Sequence, residues 1–120
     1  MKKEVVTYPS SSGPYLSNAK RAGQFLFLQG QTGKGPDIKT QTRNALEHLK
    51  ASVELAGTSM ENVVQNTVYF VNMENDYDSF NQVYKEFFPN DPPVRSCIEV
   101  PRAAHQKGCL VKISVIAFVP

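Results

Sequence analysis

Two stretches of this chain are apolar on both faces of an extended backbone, and they constrain the fold more than any other feature. In Gln24-Phe25-Leu26-Phe27-Leu28-Gln29-Gly30-Gln31, Phe25 and Phe27 share one face and Leu26 and Leu28 share the other. In the stretch 110–118, Val111, Ile113, Val115 and Ala117 line one face, and Leu110, Lys112, Ser114, Ile116 and Phe118 line the other. A strand of this kind has to be covered on both sides. The rest of the chain supplies only two helical segments, which can cover one face of a wide sheet. A monomer would expose the second face as an apolar patch, which soluble proteins avoid. We therefore expect an oligomer, with sites at interfaces that draw residues from two chains.

The remaining elements follow from local pattern. Residues 3–8 are a short strand candidate, and 9–14 is a Pro/Ser/Gly loop leading into Tyr15. Ile38, Thr42, Ala45, Leu46, Leu49, Val53 and Ala56 recur at helical spacing, which predicts a helix over 38–56 capped by Asp37 and stopped by Gly57. Residues 62–71 are rich in β-branched and aromatic side chains and read as a strand. A second helix is expected over 76–88, capped by Asn75, with a buried stripe of Tyr77, Phe80, Val83, Tyr84, Phe87 and Phe88 and with Asn81 beside it. Pro92 and Pro93 precede a strand at 94–100 that puts Arg95, Cys97 and Glu99 on one face and Val94, Ser96, Ile98 and Val100 on the other.

With 120 residues the chain is one domain, 1–120, with one real core. A net charge of +2 with scattered basic residues argues against a nucleic-acid or anionic-membrane partner. No apolar run reaches the length of a membrane span, and none near the N-terminus reads as a signal peptide. Two cysteines, Cys97 and Cys109, fit a reduced protein, so a cytoplasmic location is expected.

The chemistry-bearing residues are few. Gly30-Gln31-Thr32-Gly33-Lys34-Gly35-Pro36 holds a Gly-Lys pair, but Gly35 stands where a phosphate loop needs Ser or Thr, and Leu28 where it needs Gly. His48 and His105 lack metal-ligand spacing, so no metal is expected. Cys97 would be a nucleophile only if Arg95 or another cation lowered its pKa. The best chemical core is Arg95 among neutral polar neighbours, a planar fork suited to a small carboxylate.

Several segments together resemble the reactive intermediate deaminase family, also called Rid or YjgF-type and formerly the L-PSP endoribonuclease family. They are Gly13-Pro14-Tyr15, Gly30-Gln31 after an apolar strand, the helix from Gln41 to Lys50 with Ala56-Gly57, the strand from Asn62 to Tyr69, the helix from Phe80 to Phe88, and Pro93-Val94-Arg95-Ser96-Cys97-Ile98-Glu99-Val100. The resemblance implies an α+β fold like that of chorismate mutase, with a mixed six-stranded sheet and two helices on one face. It implies a homotrimer with clefts between subunits and no cofactor. It implies hydrolysis of 2-enamino or 2-imino acids, such as 2-iminobutanoate and 2-iminopropanoate, to 2-keto acids and ammonia. Arg95 would fork the substrate carboxylate, and Tyr15, Gly30, Asn81 and Cys97 would line the cleft.

Three departures from that family bear on function. Gln29 replaces the Ser that precedes Gly-Gln and would crowd the cleft. The loop from Thr32 to Pro36 is short. Lys112 stands where deaminase-competent members carry a Glu that handles the water, a role worth about 10²–10⁴ in rate. Lys112 beside Arg95 would favour a more anionic ligand such as a dicarboxylate, and Glu99 could restore a carboxylate there. The alternative to an imine hydrolase is a non-catalytic trimer that binds a small carboxylate metabolite in a regulatory role. Ribonuclease activity has no His pair or basic-aromatic stripe to support it.

Overall fold

The computed structural model describes residues 5–11 and 13–120. Lys3 and Glu4, at the start of the first expected strand, and Ser12 in the following loop lie outside the described residues. The elements in order are β1 (Val5–Pro9), β2 (Ser17–Ala22), β3 (Phe25–Gln31), α1 (Ile38–Leu55), β4 (Val63–Phe70), α2 (Met73–Phe87), β5 (Val94–Glu99) and β6 (Val111–Phe118). They form the expected α+β architecture. The six strands make one mixed sheet in the order β1-β2-β3-β6-β4-β5. β4 and β5 pair in parallel, and every other neighbouring pair is antiparallel.

β2 is the element that pattern reading missed. Its sequence Ser-Asn-Ala-Lys-Arg-Ala has no apolar alternation, and only Ala19 is buried. It is a strand because it pairs with β1 on one side and β3 on the other. Gly23 makes the β2–β3 connection possible: Ala22 pairs with Phe25 across a two-residue turn, and Gly23 takes φ +62°. That left-handed conformation at the first turn position suits Gly and matches the strand twist.

The start of α2 also differs from the expected one. Asn72 is the cap, accepting from the Asn75 backbone N–H at 3.3 Å, and the helix begins at Met73 rather than near 76. The choice between the two Asn residues is tertiary. Glu99 on β5 accepts the Met73 N–H at 2.9 Å, which satisfies a first-turn donor that would otherwise lack a partner. α1 begins as expected, with the Asp37 side chain accepting from Thr40 N–H at 2.8 Å.

Both helices lie on one face of the sheet. Leu46, Leu49 and Val53 of α1 and Phe80, Val83 and Tyr84 of α2 pack against Leu26, Leu28, Val68, Phe70, Ile113 and Val115. Fully burying each such side chain stabilises the fold by about 1.5–3 kcal/mol. The opposite face is bare. Phe25 and Phe27 are each 46% exposed there, and Val94 is 69% exposed. Among the described residues no helix is long and apolar enough to cross a membrane.

Leu49 is wholly buried between α1 and the sheet. Leu49→Ala should lower stability by about 2–5 kcal/mol, read as a reduced midpoint in urea unfolding with an unchanged slope. A change below about 0.5 kcal/mol would show that α1 does not close this core.

Candidate functional site

The β4–α2–β5 crossover positions Arg95. The parallel register sets Arg95 opposite Asn66, and Asn66, Val68 and Phe70 all point to the helix face. Arg95 and Cys97 therefore point under α2. On α2, Tyr77, Asn81 and Tyr84 are spaced i, i+4 and i+7, so all three face the same way. Arg95 Nη1 donates to Asn81 Oδ1 at 2.8 Å, and Nη2 donates to the Tyr77 hydroxyl at 3.1 Å. Its Cζ lies 4.8 Å from the Tyr84 ring centroid and 5.9 Å from that of Phe80.

All the groups that hold Arg95 are neutral. Among the described residues the ion pair is Arg43–Glu86, at 3.0 Å on the surface, and Arg95 is in none. A guanidinium has five N–H donors; Asn81 and Tyr77 take two, and Tyr84 and Cys97 also lie within its reach. The remaining donors, in a half-buried position, are those a carboxylate fork needs.

A buried layer supports this cradle. Asn66, with no exposure, donates to the Tyr84 hydroxyl at 2.8 Å, and Asn66 Oδ1 has no partner. Burial pushes the Tyr84 phenol up, against the opposing pull of the Asn66 hydrogen bond and the Arg95 charge. Burial likewise pushes the Cys97 thiol up by more than Arg95 pulls it down. Cys97 is a neutral thiol at neutral pH and not the activated thiolate that a nucleophile needs.

The other expected site residues lie elsewhere in the chain. Lys112 on β6 pairs with Tyr69 on β4, and both point to the bare face, opposite to Arg95. Within one chain Lys112 is therefore not beside Arg95. Glu99 is on the helix face, engaged with the Met73 N–H, and does not pair with Lys112. Lys112 lies across Gly30: a Cβ on Gly30 would fall 2.5 Å from Lys112 Cδ and 2.7 Å from Cγ. Its Nζ is 5.1 Å from the Tyr69 ring centroid. Gln29 is drawn sideways by a 3.2 Å hydrogen bond to Asn18 Oδ1. Tyr15 is 93% exposed in the β1–β2 loop.

Gln29 and Gly30 also line an open cleft of about 980 Å³ against α1, with Lys34, His48 and Lys107 at its walls. The glycine loop does not cradle an anion by itself. A Cβ on Gly33 would strike the α1 backbone at Gln41 and Ala45, so this glycine is there for close packing. His48 Nδ1 is 2.9 Å from the Thr32 carbonyl, which it meets as a donor, and fixes the same loop. Among the described residues no three His, Cys, Asp or Glu side chains gather as a metal site requires.

Comparison with known proteins decides the family. The Endoribonuclease L-PSP family model matches residues 6–119. This chain belongs to that family, the Rid or YjgF-type family. It is 42% identical to a RutC family protein of Pyrococcus horikoshii, over 97% of this chain and 98% of that one. It is 37% identical to a protein of Escherichia coli strain K12 named as a candidate reactive intermediate deaminase, TdcF, over 98% and 97% of the two chains. A YjgF/YER057c/UK114 family structure from Mycobacterium tuberculosis superposes with a TM-score of 0.88 at 30% identity, covering 97% of this chain and all of that one.

For this Rid-family chain, sequence reading singled out Arg95, Asn81 and Cys97, and the fold brings these three together. It missed Asn66, Tyr77 and Tyr84 as parts of the cradle. The two tyrosines read as core, and only their polar tips, at a spacing matched to Asn81, could have marked them.

The Cys97 thiol reports on Arg95. In Arg95→Gln the downward pull on its pKa is lost while burial remains, so the folded pKa rises further and less thiolate forms at a given pH. The midpoint of the iodoacetamide labelling profile should move to higher pH. A midpoint that stays or falls would show that Arg95 does not act on Cys97.

Proposed function

We propose that this chain is a hydrolase of reactive 2-enamino and 2-imino acids, releasing 2-keto acids and ammonia without a cofactor. The observation that carries the reading is Arg95: a preorganised guanidinium with neutral partners and, among the described residues, no counter-ion. The name of the Escherichia coli relative points the same way.

The reaction is R–C(=NH)–COO⁻ + H₂O → R–C(=O)–COO⁻ + NH₃. Arg95 grips the carboxylate bidentately and fixes the imine carbon next to it. Water adds to that carbon to give a carbinolamine. The nitrogen takes up a proton and leaves as ammonia while the C=O bond forms. Imines need little activation, so orientation supplies most of the effect. Lys112, an ammonium at the position where the resemblance puts a Glu, cannot accept a proton from water, and general-base help of about 10²–10⁴ is absent.

The proposed working unit is a homotrimer with its clefts between subunits. Two features support it. The bare sheet face carries Phe25, Phe27, Val94 and Ile98, a surface suited to a second copy of the chain. The candidate residues also fall into two groups on opposite sheet faces, Arg95-Asn81-Cys97 and Gly30-Lys112, and only another copy can bring the two groups together. Phe27→Asp should reduce the mass seen in sedimentation from three copies to one while far-ultraviolet circular dichroism is retained. Wild-type protein sedimenting as a monomer at micromolar concentration would remove the trimer.

A second reading rests on Lys112 and Gln29: a trimer that holds a small carboxylate metabolite and signals its level without hydrolysis. One competition separates the two. An amino-acid oxidase generates the imine in the presence of semicarbazide, and the protein is titrated in. The hydrolase lowers the rate of semicarbazone formation in proportion to its concentration, and Arg95→Gln abolishes that effect. No diversion across small, branched and acidic substrates would leave the binder.

A further inference from the structure

Lys112 is the single charged side chain on the bare face of the four strands β3, β6, β4 and β5. The other two charged residues in those strands, Arg95 and Glu99, point to the helix face. Its cross-strand partner is Tyr69, with Ile98 beyond it on β5; Ser114 follows on the same face of β6, and the Lys112 stem covers Gly30, so all of these neighbours are neutral. Lys112 is in no ion pair among the described residues. Among the described residues, the adjoining cleft at Gly30 is walled by Lys34 and Lys107 and by no Asp or Glu.

This arrangement has an electrostatic consequence once the face is covered. Taking an ammonium out of water without a partner is strongly unfavourable. The neutral strands around it offer no anion, and Glu99 is on the other side of the sheet, engaged by the Met73 N–H. Among the described residues no carboxylate of the chain pairs with Lys112, so a bound anion can supply the counter-charge.

We propose that the ligand carries two anionic groups: a 2-imino or 2-oxo dicarboxylate whose first carboxylate is forked by Arg95 and whose distal carboxylate is bound by Lys112 of a neighbouring copy. This rests on the carboxylate-clamp reading above and narrows its substrate class from small 2-imino acids to acidic ones. The cradle at Arg95 selects the 2-oxo or 2-imino acid end, and the ammonium selects the far end.

Calorimetric titration of the full chain with 2-oxo acids, the products of the proposed reaction, tests this. The probes are oxaloacetate, 2-oxoglutarate and 2-oxoadipate, with 2-oxobutanoate and 2-oxoglutarate 5-methyl ester as singly charged controls. At least one dianion should bind about tenfold tighter than both controls, with a steeper loss of affinity as salt rises. Lys112→Met keeps the stem across Gly30 and removes the charge; it should erase the preference for the dianion. Lys112→Arg should restore the preference. Equal binding of all probes by the wild type, with all binding lost in Arg95→Gln, leaves the clamp standing and overturns the second-anion inference. A preference that survives in Lys112→Met overturns it too and moves the distal carboxylate to another cation. Failure of every probe to bind, or binding indifferent to Arg95→Gln, overturns the clamp reading together with this one.

Discussion

Strand β6 is the seam on which the fold closes. It comes last in the chain yet lies inside the sheet, pairing with β3 on one side and β4 on the other. Without it the β1–β2–β3 meander and the β4–α2–β5 crossover would be two separate pieces, each with an unpaired edge. Val111, Ile113, Val115 and Ala117 are all buried beneath the helices, which pins the register of β6. A slip of one residue would carry the apolar set to the bare face and Lys112 into the core. The position of Lys112 is thus fixed by the hydrophobic pattern of its own strand.

The same logic fixes Arg95. Parallel pairing with β4 puts Arg95 level with Asn66 and on the helix side, where α2 offers Tyr77, Asn81 and Tyr84. A carboxylate in any of those positions would neutralise the guanidinium and compete with a ligand. Neutral acceptors hold the fork and leave its charge uncompensated. The aromatic faces of Tyr84 and Phe80 add attraction without occupying an N–H. Asn66 sets the Tyr84 hydroxyl from below at the expense of one orphaned carbonyl oxygen.

Most of the fold was legible because it rests on periodicity. The two-faced strands, both helices and the bare second face follow from apolar spacing alone. β2 was illegible for a physical reason: Ser17 to Ala22 is polar, and its strand conformation comes from its neighbours' hydrogen bonds. The true start of α2 was illegible because Glu99, 26 residues beyond Met73, decides it. In the site, Arg95 with Asn81 and Cys97 could be read from a motif and a helix spacing. The placement of Lys112 relative to Arg95 could not, since alternation gives a face within each strand but not which faces of distant strands agree. That agreement is set by pairing order and direction, which appear only in the folded sheet.

In the proposed trimer, the separation of Arg95 and Lys112 by the thickness of the sheet ties chemistry to assembly. In a fold that completes its site within one chain, apolar packing and ligand binding can vary independently. Here the face that carries Lys112 is also the face that carries Phe25, Phe27 and Ile98, so the proposed contact would bury the apolar surface and desolvate the ammonium together. The apolar contribution favours that contact, at about 25 cal/mol per Å² of apolar surface covered, and the uncompensated charge opposes it. An anion at Lys112 removes the opposition. In the proposed trimer with the proposed anion site, ligand and assembly are linked in both directions: whatever fills the anion position strengthens the contact, and whatever tightens the contact raises the affinity for the anion. A neutral residue in place of Lys112 would leave the contact stronger and the linkage gone.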